Sequence, residues 1–181
     1  MAKVGDADAL WWALQVCNPV GLTTILSNAA ARQSNVYFSS SDADFDDRLE
    51  AAARWSELRA GSVVVRGGWR LYSSGPGLFL HTVRACLLGV REAFGDVVFD
   101  PVLPHSLDGL SATLTLQGRG IQLRYRVRRG NFGPSAIVLN GVQVPVTVRE
   151  GNPYRPGGWR IPLGELLPLM GSAENVLEIS L

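Results

Sequence analysis

The chain has few of the residues that build metal sites, disulfide frameworks or polyanion-binding surfaces. Its 181 residues include two cysteines and two histidines, too few for a zinc finger or a disulfide-stabilised domain. Lysine plus arginine (17) nearly balance aspartate plus glutamate (16), so bulk charge excludes a polyanion-binding protein. The longest apolar run, 78–90, is interrupted by His81 and Arg84 and is shorter than the roughly 20 residues of a membrane span. The first residues lack a signal-peptide pattern, so we expect a cytoplasmic protein.

The first half of the chain has the periodicity of helices. Hydrophobic residues make up 46% of the sequence, enough for a core. Apolar residues recur at helical spacing after Asp6, and aspartates occupy the opening turn. The same spacing predicts helices at 43–60, ending before Gly61, and at about 76–90, with a loop over 20–41. The third helix is apolar around most of its circumference, so we expect it to be buried on nearly all sides.

The second half has the period of strands. Between 121 and 128 apolar residues alternate with glutamine and arginine, which predicts a half-buried strand with a basic outer face. Asn140-Gly141 is a strong hairpin signal, and Pro145 indicates an edge or a bulge after it. We predict two domains in an α+β fold, a helical segment at 1–93 and an antiparallel β-sandwich at 94–181.

Residues 67–77 are the best candidate for a binding site. They combine glycines with the hydroxyls of Ser73 and Ser74 immediately before a predicted helix. A helix N-terminus presents unpaired N–H groups and partial positive charge to an anion, and Arg66 and Arg70 could add charge. The alternative is ordinary capping, with Ser74 as the N-cap and the glycines serving the turn. The segment matches neither a Walker loop nor a dinucleotide fingerprint.

Other polar segments carry weaker signals. Residues 32–38 combine amides with the ring of Tyr37, which suits a sugar site, although a plain polar loop has the same composition. Four aspartates between 42 and 47 lack the spacing of a calcium loop and favour a helix dipole instead. Neither His81 nor His105 has a partner at triad spacing, which argues against nucleophilic catalysis.

Four segments together resemble the C-terminal part of a known enzyme family. They are residues 18–21 (NPVG), 32–42 (RQSNVYFSSSD), 67–77 (GGWRLYSSGPG) and 100–110 (DPVLPHSLDGL). This combination resembles the inverting disaccharide phosphorylases of glycoside hydrolase family 94, and within them the 1,2-β-oligoglucan phosphorylase branch. The resemblance spans nearly the whole chain.

The resemblance implies a fold and a reaction. Residues 1–93 would supply the terminal helices of an (α/α)6 barrel, and 94–181 a jelly-roll-like C-terminal β-sandwich. The family cleaves a β-glucoside with inorganic phosphate and releases α-glucose 1-phosphate with inversion. Its general acid is an aspartate in an upstream Asp-Trp-Asn type motif. No Asp-Trp pair occurs here, so we expect no catalytic residue in this chain and no activity from the chain alone.

The resemblance also assigns binding residues and partners. A Thr-Gly pair that holds phosphate in relatives matches Ser73 and Ser74, with Gly75 beside them, and Asn35 and Tyr37 match a segment near the bound sugar. The implied ligands are phosphate and a β-glucooligosaccharide, with no metal or further cofactor. Neither nucleic acid nor membrane is implied, and dimeric relatives imply a homodimer.

Two alternatives remain open on sequence grounds. The strand pattern from Phe94 onward is self-contained, which also fits a non-catalytic β-sandwich that binds a glycan or a partner subunit. The chain would equally fit the phosphorylase-like end of a cyclic β-1,2-glucan synthase, because the distinguishing domains would lie upstream. On the phosphorylase interpretation, the longer parent protein is a glycosyltransferase and this chain alone is inactive.

Overall fold

The computed structural model describes two compact units with a mixed α+β composition. The described residues are 1–18, 29–31, 43–67, 75, 77–130, 133–145, 148–172 and 174–181. One unit, here called the β-rich unit, comprises residues 1–12 and 81–181, and the other comprises 13–80. The α+β class is confirmed. The predicted boundary between residues 93 and 94, and the barrel and jelly-roll assignments, stay predictions.

Helix α1 spans Ala7–Val16 and confirms the helix predicted after Asp6. The carboxylate of Asp6 accepts a hydrogen bond of 3.0 Å from the backbone N–H of Ala9 and so satisfies one donor of the first turn. The helix ends at Val16, two residues before Asn18, consistent with the break that the Asn-Pro sequence predicts.

The helix predicted at 43–60 is two shorter helices, α2 (Arg48–Ala53) and α3 (Trp55–Ala60). The predicted start is wrong because Asp47 is the N-cap: its carboxylate accepts hydrogen bonds of 2.7 and 2.9 Å from two backbone N–H groups. Arg54 leaves helical geometry between the two helices. The predicted end is confirmed, since Gly61 takes a φ of 80° that suits glycine.

Helix α4 (Leu78–Thr82) continues into a π-helical turn at Val83–Leu87. The expectation that this helix is buried on nearly all sides is wrong for its first turn, because Leu78 and Leu80 are 67% and 60% exposed. Apolar character around a helix predicts burial only when neighbouring elements cover every side, and here one side is uncovered.

A short parallel pair of strands lies in the 13–80 unit. Strand β1 (Ala29–Ala31) pairs with β2 (Val65–Gly67). The loop predicted over 20–41 is therefore wrong at 29–31, where three alanines follow a strand because they have a partner 36 residues further along the chain. The other residues of that loop lie outside the described part of the chain.

The β-rich unit contains a four-stranded sheet. Its strands are β3 (Val90–Ala93), β4 (Asp96–Phe99), β9 (Val148–Arg149) and β10 (Trp159–Pro162). They lie in the order β3-β4-β10-β9 with antiparallel neighbours. The apolar sequence at 97–103 predicts one strand here, which β4 confirms at 97–99 but not at 100–103. The sequence pattern misses β3 and β10.

A second, five-stranded sheet completes this unit. Its strands are β5 (Ser111–Leu116), β6 (Arg119–Arg126), β7 (Ala136–Leu139), β8 (Val142–Gln143) and β11 (Asn175–Ser180). The order is β5-β6-β11-β7-β8. An all-antiparallel arrangement is wrong here, because β11 runs parallel to β6. The chain reaches β11 after a long crossover, and so it can enter beside β6 in the same direction.

Strand β6 confirms the predicted alternation. Ile121, Leu123 and Tyr125 are at most 1% exposed, whereas Arg124 and Arg126 are exposed. The Tyr125 hydroxyl donates a 2.7 Å hydrogen bond to the carbonyl of Leu88, which pairs the one polar atom of this buried ring.

Three tight hairpins share one backbone conformation. Phe94-Gly95, Gln117-Gly118 and Asn140-Gly141 have φ near +50° at the first residue and near +80° at the glycine. This is the type I′ geometry that suits the twist of an antiparallel pair. The Asn140-Gly141 hairpin is confirmed. The sequence Gly118-Arg119-Gly120 predicts a second turn at 118–120, but this turn lies at 117–118.

Candidate functional site

The site residues predicted from the sequence lie almost entirely outside the described residues. This applies to Ser73 and Ser74 of the phosphate site and to Asn35 and Tyr37 of the sugar site. Gly75 is described and exposed, and a Cβ added there would meet no atom within 4 Å. Both predicted sites therefore stay predictions. The same holds for the close approach of a ligand to the backbone at Gly75.

The structure instead shows a cluster of charged side chains that the sequence does not predict. This arginine–carboxylate cluster belongs to the β-rich unit and joins the strands and loops of the four-stranded sheet. It comprises Arg91, Asp96, Asp100, Glu150, Arg155 and Arg160. Three guanidinium groups face three carboxylates, so the cluster is balanced in charge.

The pair of Arg155 and Asp100 lies at the centre of the cluster. The guanidinium donates to both carboxylate oxygens, at 2.7 and 2.9 Å, and the two side chains are only 5% and 13% exposed. This is the bidentate geometry in which an ion pair is strongest. Arg91 donates to Asp100 at 3.4 Å and also pairs with Glu150. The buried carboxylate thus accepts hydrogen bonds from two guanidinium groups.

The same arginine fixes the N-terminal segment of the chain. Arg155 donates through Nε and Nη2 to the carbonyl of Ala2, at 3.3 Å each. The side-chain amide of Asn152 donates to the carbonyl of Lys3 at 2.9 Å. Two side chains of the loop between β9 and β10 therefore replace the water that would otherwise solvate this backbone.

Glycines allow the backbone to approach this cluster closely. A Cβ added to Gly158 would lie 2.4 Å from Cβ of Asp100 and 2.7 Å from the carbonyl oxygen of Phe99. A Cβ on Gly157 would lie 1.9 Å from the carbonyl oxygen of Glu150. Read from the sequence alone, this glycine pair belongs to a loop. The packing of Gly158 depends on Phe99 and Asp100, which are distant in sequence, so no local pattern indicates it.

A cavity of about 370 Å³ opens beside the cluster. Lys3, His81 and Cys86 line it together with the central ion pair. Burial raises the pKa of the Cys86 thiol, so this group is a neutral thiol at neutral pH and a poor nucleophile. The polar groups of this cavity can hold hydroxylated or charged ligands, but the thiol does not add a nucleophile.

A larger, open cavity of about 730 Å³ lies elsewhere in the β-rich unit. Ser106, His105, Arg128 and Arg129 line it with the N-terminal turn. The Nδ1 of His105 donates a 2.8 Å hydrogen bond to the carbonyl oxygen of Val127, which fixes the orientation of the ring. Hydroxyl, imidazole and guanidinium groups here form a surface suited to binding.

The described residues show no constellation for metal-dependent chemistry or membrane insertion. Within them, no three His, Cys, Asp or Glu side chains converge on a point where a metal ion could be held. No helix among them is both long and apolar enough to cross a membrane.

The fold and the polar clusters define a mixed α+β protein with a β-rich unit and surfaces suited to binding. No protein-family model matches the chain. It is similar to a carbohydrate-active enzyme: 42% of the residues are identical over 162 residues to the 1,2-beta-oligoglucan phosphorylase of Listeria innocua serovar 6a. This comparison confirms the predicted resemblance to such a phosphorylase. The match covers 90% of this chain but only 14% of the relative, so the chain spans about one seventh of that protein's length.

Proposed function

We propose that this chain is the C-terminal part of an inverting β-glucan phosphorylase of glycoside hydrolase family 94. The similarity over 90% of the chain to a 1,2-beta-oligoglucan phosphorylase carries this proposal. In the reaction, phosphate attacks the anomeric carbon of a β-glucoside, the glycosidic C–O bond breaks, and an acid protonates the leaving oxygen. The product is α-glucose 1-phosphate.

In this proposal the described helices are the end of an (α/α)6 barrel, and the β-rich unit is the C-terminal β-sandwich. The exposure of Leu78 and Leu80 supports the first part, because further barrel helices would cover this side. The β-rich unit supports the second, because two sheets and an internal core lie in one compact unit. The general acid would come from outside these 181 residues, since the sequence contains no Asp-Trp pair.

The proposed contribution of this chain to the active site is the phosphate site. Ser73 and Ser74 would donate their hydroxyls to the phosphate, and Gly75 would leave room for it. Asn35 and Tyr37 would contact the sugar. Inorganic phosphate and a β-1,2-glucooligosaccharide are the ligands of the whole enzyme, and the cytoplasm is its proposed location.

The first experiment replaces the matched 162 residues of the Listeria phosphorylase by those of this chain. We expect the chimera to release glucose 1-phosphate from β-1,2-glucooligosaccharides and phosphate, and the purified 181-residue chain to release none. Activity of the isolated chain would contradict the missing general acid. A folded but inactive chimera, with saturable glycan binding by the isolated chain, would favour the non-catalytic glycan-binding alternative.

The second experiment tests the phosphate site in the chimera. Ser73→Ala should raise the apparent KM for phosphate about tenfold, because a hydrogen bond to a charged group contributes about 1.5–3 kcal/mol. The KM for the glucan should change little. The control is Ser62→Ala, which removes an exposed hydroxyl bonded only to the carbonyl of Glu57 in the described structure. Equal effects of the two variants on phosphate would remove Ser73 from the site.

A further inference from the structure

The side chain of Asn140 connects the turn between β7 and β8 to the chain on either side of the start of β11. Its Nδ2 donates to the carbonyl of Leu169 at 3.0 Å and to Oδ1 of Asn175 at 2.9 Å. Its Oδ1 accepts a 2.9 Å hydrogen bond from the backbone N–H of Val176. Asn175 is completely buried, whereas Asn140 is exposed. Three hydrogen bonds of one surface side chain therefore join the turn to two other segments of the β-rich unit.

The surroundings of Asn175 determine which group can occupy position 140. The Nδ2 of Asn175 donates to the carbonyls of Gly120 and Gly171, at 3.1 and 3.3 Å, and its Oδ1 accepts a 2.7 Å hydrogen bond from the N–H of Gly171. Rotating this amide by half a turn would leave the carbonyl of Gly120 facing an oxygen. Oδ1 of Asn175 therefore stays directed at residue 140, where a donor fits and an acceptor does not.

The sequence makes Asn140 chemically labile. Asn140-Gly141 is the one Asn-Gly pair among the 181 residues. The side-chain carbonyl carbon of an asparagine can be attacked by the backbone nitrogen of the next residue, which is one reason why asparagine is a thermolabile residue. Glycine has no side chain that would hinder this approach. The residue at the centre of the hydrogen-bond network is therefore also the residue most open to this reaction.

The fold keeps the two reacting atoms apart. Asn140 and Gly141 have φ values of 52° and 82°, which belong to a type I′ turn. In such a turn ψ of the first residue is about +30°, which directs the Gly141 nitrogen away from the side chain of Asn140. The attack requires rotation about the Cα–C bond of Asn140, and this rotation breaks the pairing of Leu139 with Val142. It also requires release of the side chain from its hydrogen bonds.

We propose that Asn140 is a site of spontaneous deamidation, that the folded turn blocks the reaction, and that the product no longer fits the turn. When the turn opens, the Gly141 nitrogen bonds to Cγ of Asn140. The bond from Cγ to Nδ2 breaks, and the proton of the Gly141 nitrogen leaves with Nδ2 as ammonia. Water then opens the resulting succinimide ring to aspartate or isoaspartate.

Neither product restores the native contacts. An aspartate at position 140 has no hydrogen to donate once ionised, and its negative charge faces the oxygens of Leu169 and Asn175. An isoaspartate adds one carbon atom to the backbone of a turn whose length is fixed by the pairing of Leu139 with Val142. The modified chain therefore opens more readily than the unmodified chain, and the loss of ammonia makes the change permanent.

Peptide mapping by mass spectrometry measures the reaction in the whole chain. Samples are kept at one pH and temperature, either without denaturant or in guanidinium chloride that unfolds the chain. We expect the peptide with Asn140 to gain the mass of an NH2-to-OH exchange about tenfold faster in the unfolded chain, because the folded turn must first lose several hydrogen bonds. Asn152 is the internal control, since the nitrogen of Pro153 carries no hydrogen and cannot displace the amide. Its peptide should stay nearly unchanged in both samples.

The effect of the product is measured with Asn140→Asp, which should unfold at a lower guanidinium chloride concentration than the unmodified chain. Gln143→Glu is the matched control, because it makes the same change from amide to carboxylate at an exposed residue of β8 and should leave the midpoint nearly unchanged. The proposal is overturned if Asn140 reacts as fast in the folded chain as in the unfolded chain, or does not react in the unfolded chain. It is also overturned if the two variants shift the midpoint equally, because no donor would then be needed at position 140.

Discussion

Two arginine-centred groups of ion pairs differ in what surrounds them. In the β-rich unit, Arg155 and Asp100 are 5% and 13% exposed, and Arg155 also holds the carbonyl of Ala2. In the 13–80 unit, Arg54 pairs with Glu50 and Glu57, but these side chains are 29–45% exposed. Ion pairs of arginine with carboxylates therefore connect segments distant in sequence in the β-rich unit. In the 13–80 unit they connect residues that are neighbours on exposed helices.

The distribution of buried residues shows the same difference. Among the described residues of 13–80, only Leu14 and Val63 are buried apolar side chains, whereas the rest of the apolar core belongs to the β-rich unit. Since burial of apolar surface drives folding, the β-rich unit has the means to be stable by itself. The described part of 13–80 relies more on local caps and surface pairs.

The largest expected effect is that of Arg155→Ala. It leaves Asp100 buried beside Arg91 alone and removes both donors to the carbonyl of Ala2, so we expect a loss of about 3–5 kcal/mol in the free energy of unfolding. Urea denaturation measures it. Arg54→Ala, the matched change in the exposed group, should shift the midpoint only slightly. Equal effects of the two variants would refute the difference between the groups.

Gly158→Ala should be the next most damaging change. Its Cβ would lie within 2.7 Å of atoms of Asp100 and Phe99, and overpacking of this kind costs about 1–3 kcal/mol. Gly164→Ala is the control, because Gly164 lies in helix α5 (Leu163–Leu166) with open space around it. Alanine there should stabilise by up to about 1 kcal/mol. If Gly158→Ala leaves the free energy of unfolding unchanged, the backbone around the cluster moves to accommodate the added methyl group.

The two units should also lose stability at opposite ends of the pH range. Burial raises the pKa of Tyr125 above its ordinary value of 10.0, so its contribution is intact below pH 10 and is lost as the pH rises beyond that. A hydrogen bond from Arg54 lowers the pKa of Glu57, so its contribution is present above the ordinary 4.5 and is lost as the pH falls through the folded value.

Hydrogen exchange of the backbone, followed by mass spectrometry, separates these effects by region. Protection of the β6 residues should fall first in alkaline solution, and protection of α3 in acid. Tyr125→Phe should lose about 1 kcal/mol at neutral pH through its bond to Leu88, and should flatten the alkaline decline. An unchanged alkaline decline in this variant would assign it to other groups.

Local pattern predicts the parts of the fold that local interactions determine. The alternation of Ile121, Leu123 and Tyr125 and the Asn140-Gly141 turn are both readable because burial and turn geometry follow from neighbouring residues. Strands β3 and β10 are missed. VREA lacks alternation, and WRIP is only four residues long and ends in proline; both become strands through pairing with β4. The direction of β11 is likewise determined by the crossover and not by its own residues.

The charged cluster is harder to predict than the fold. Asp100 and Arg155 are 55 residues apart, and the sequence around neither residue indicates an ion-pair partner. Only the pairing of the strands brings them together. The candidate phosphate site differs, because a local run of hydroxyls and glycines is enough to predict it from the sequence. The experiment on Ser73 tests that prediction.

The smallest expected effect concerns the Phe94-Gly95 hairpin of the β-rich unit. Phe94 has a φ of 52° and is fully exposed, in the same turn position that asparagine occupies at 140. Asparagine tolerates this left-handed conformation better than phenylalanine, so Phe94→Asn should stabilise the unit by about 0.5–1 kcal/mol. Phe94→Ala removes the ring but keeps a strained side-chain-bearing residue, and should give no such gain. If alanine stabilises as much as asparagine, the gain comes from removing an exposed ring. The left-handed backbone conformation of Phe94 is then not its cause.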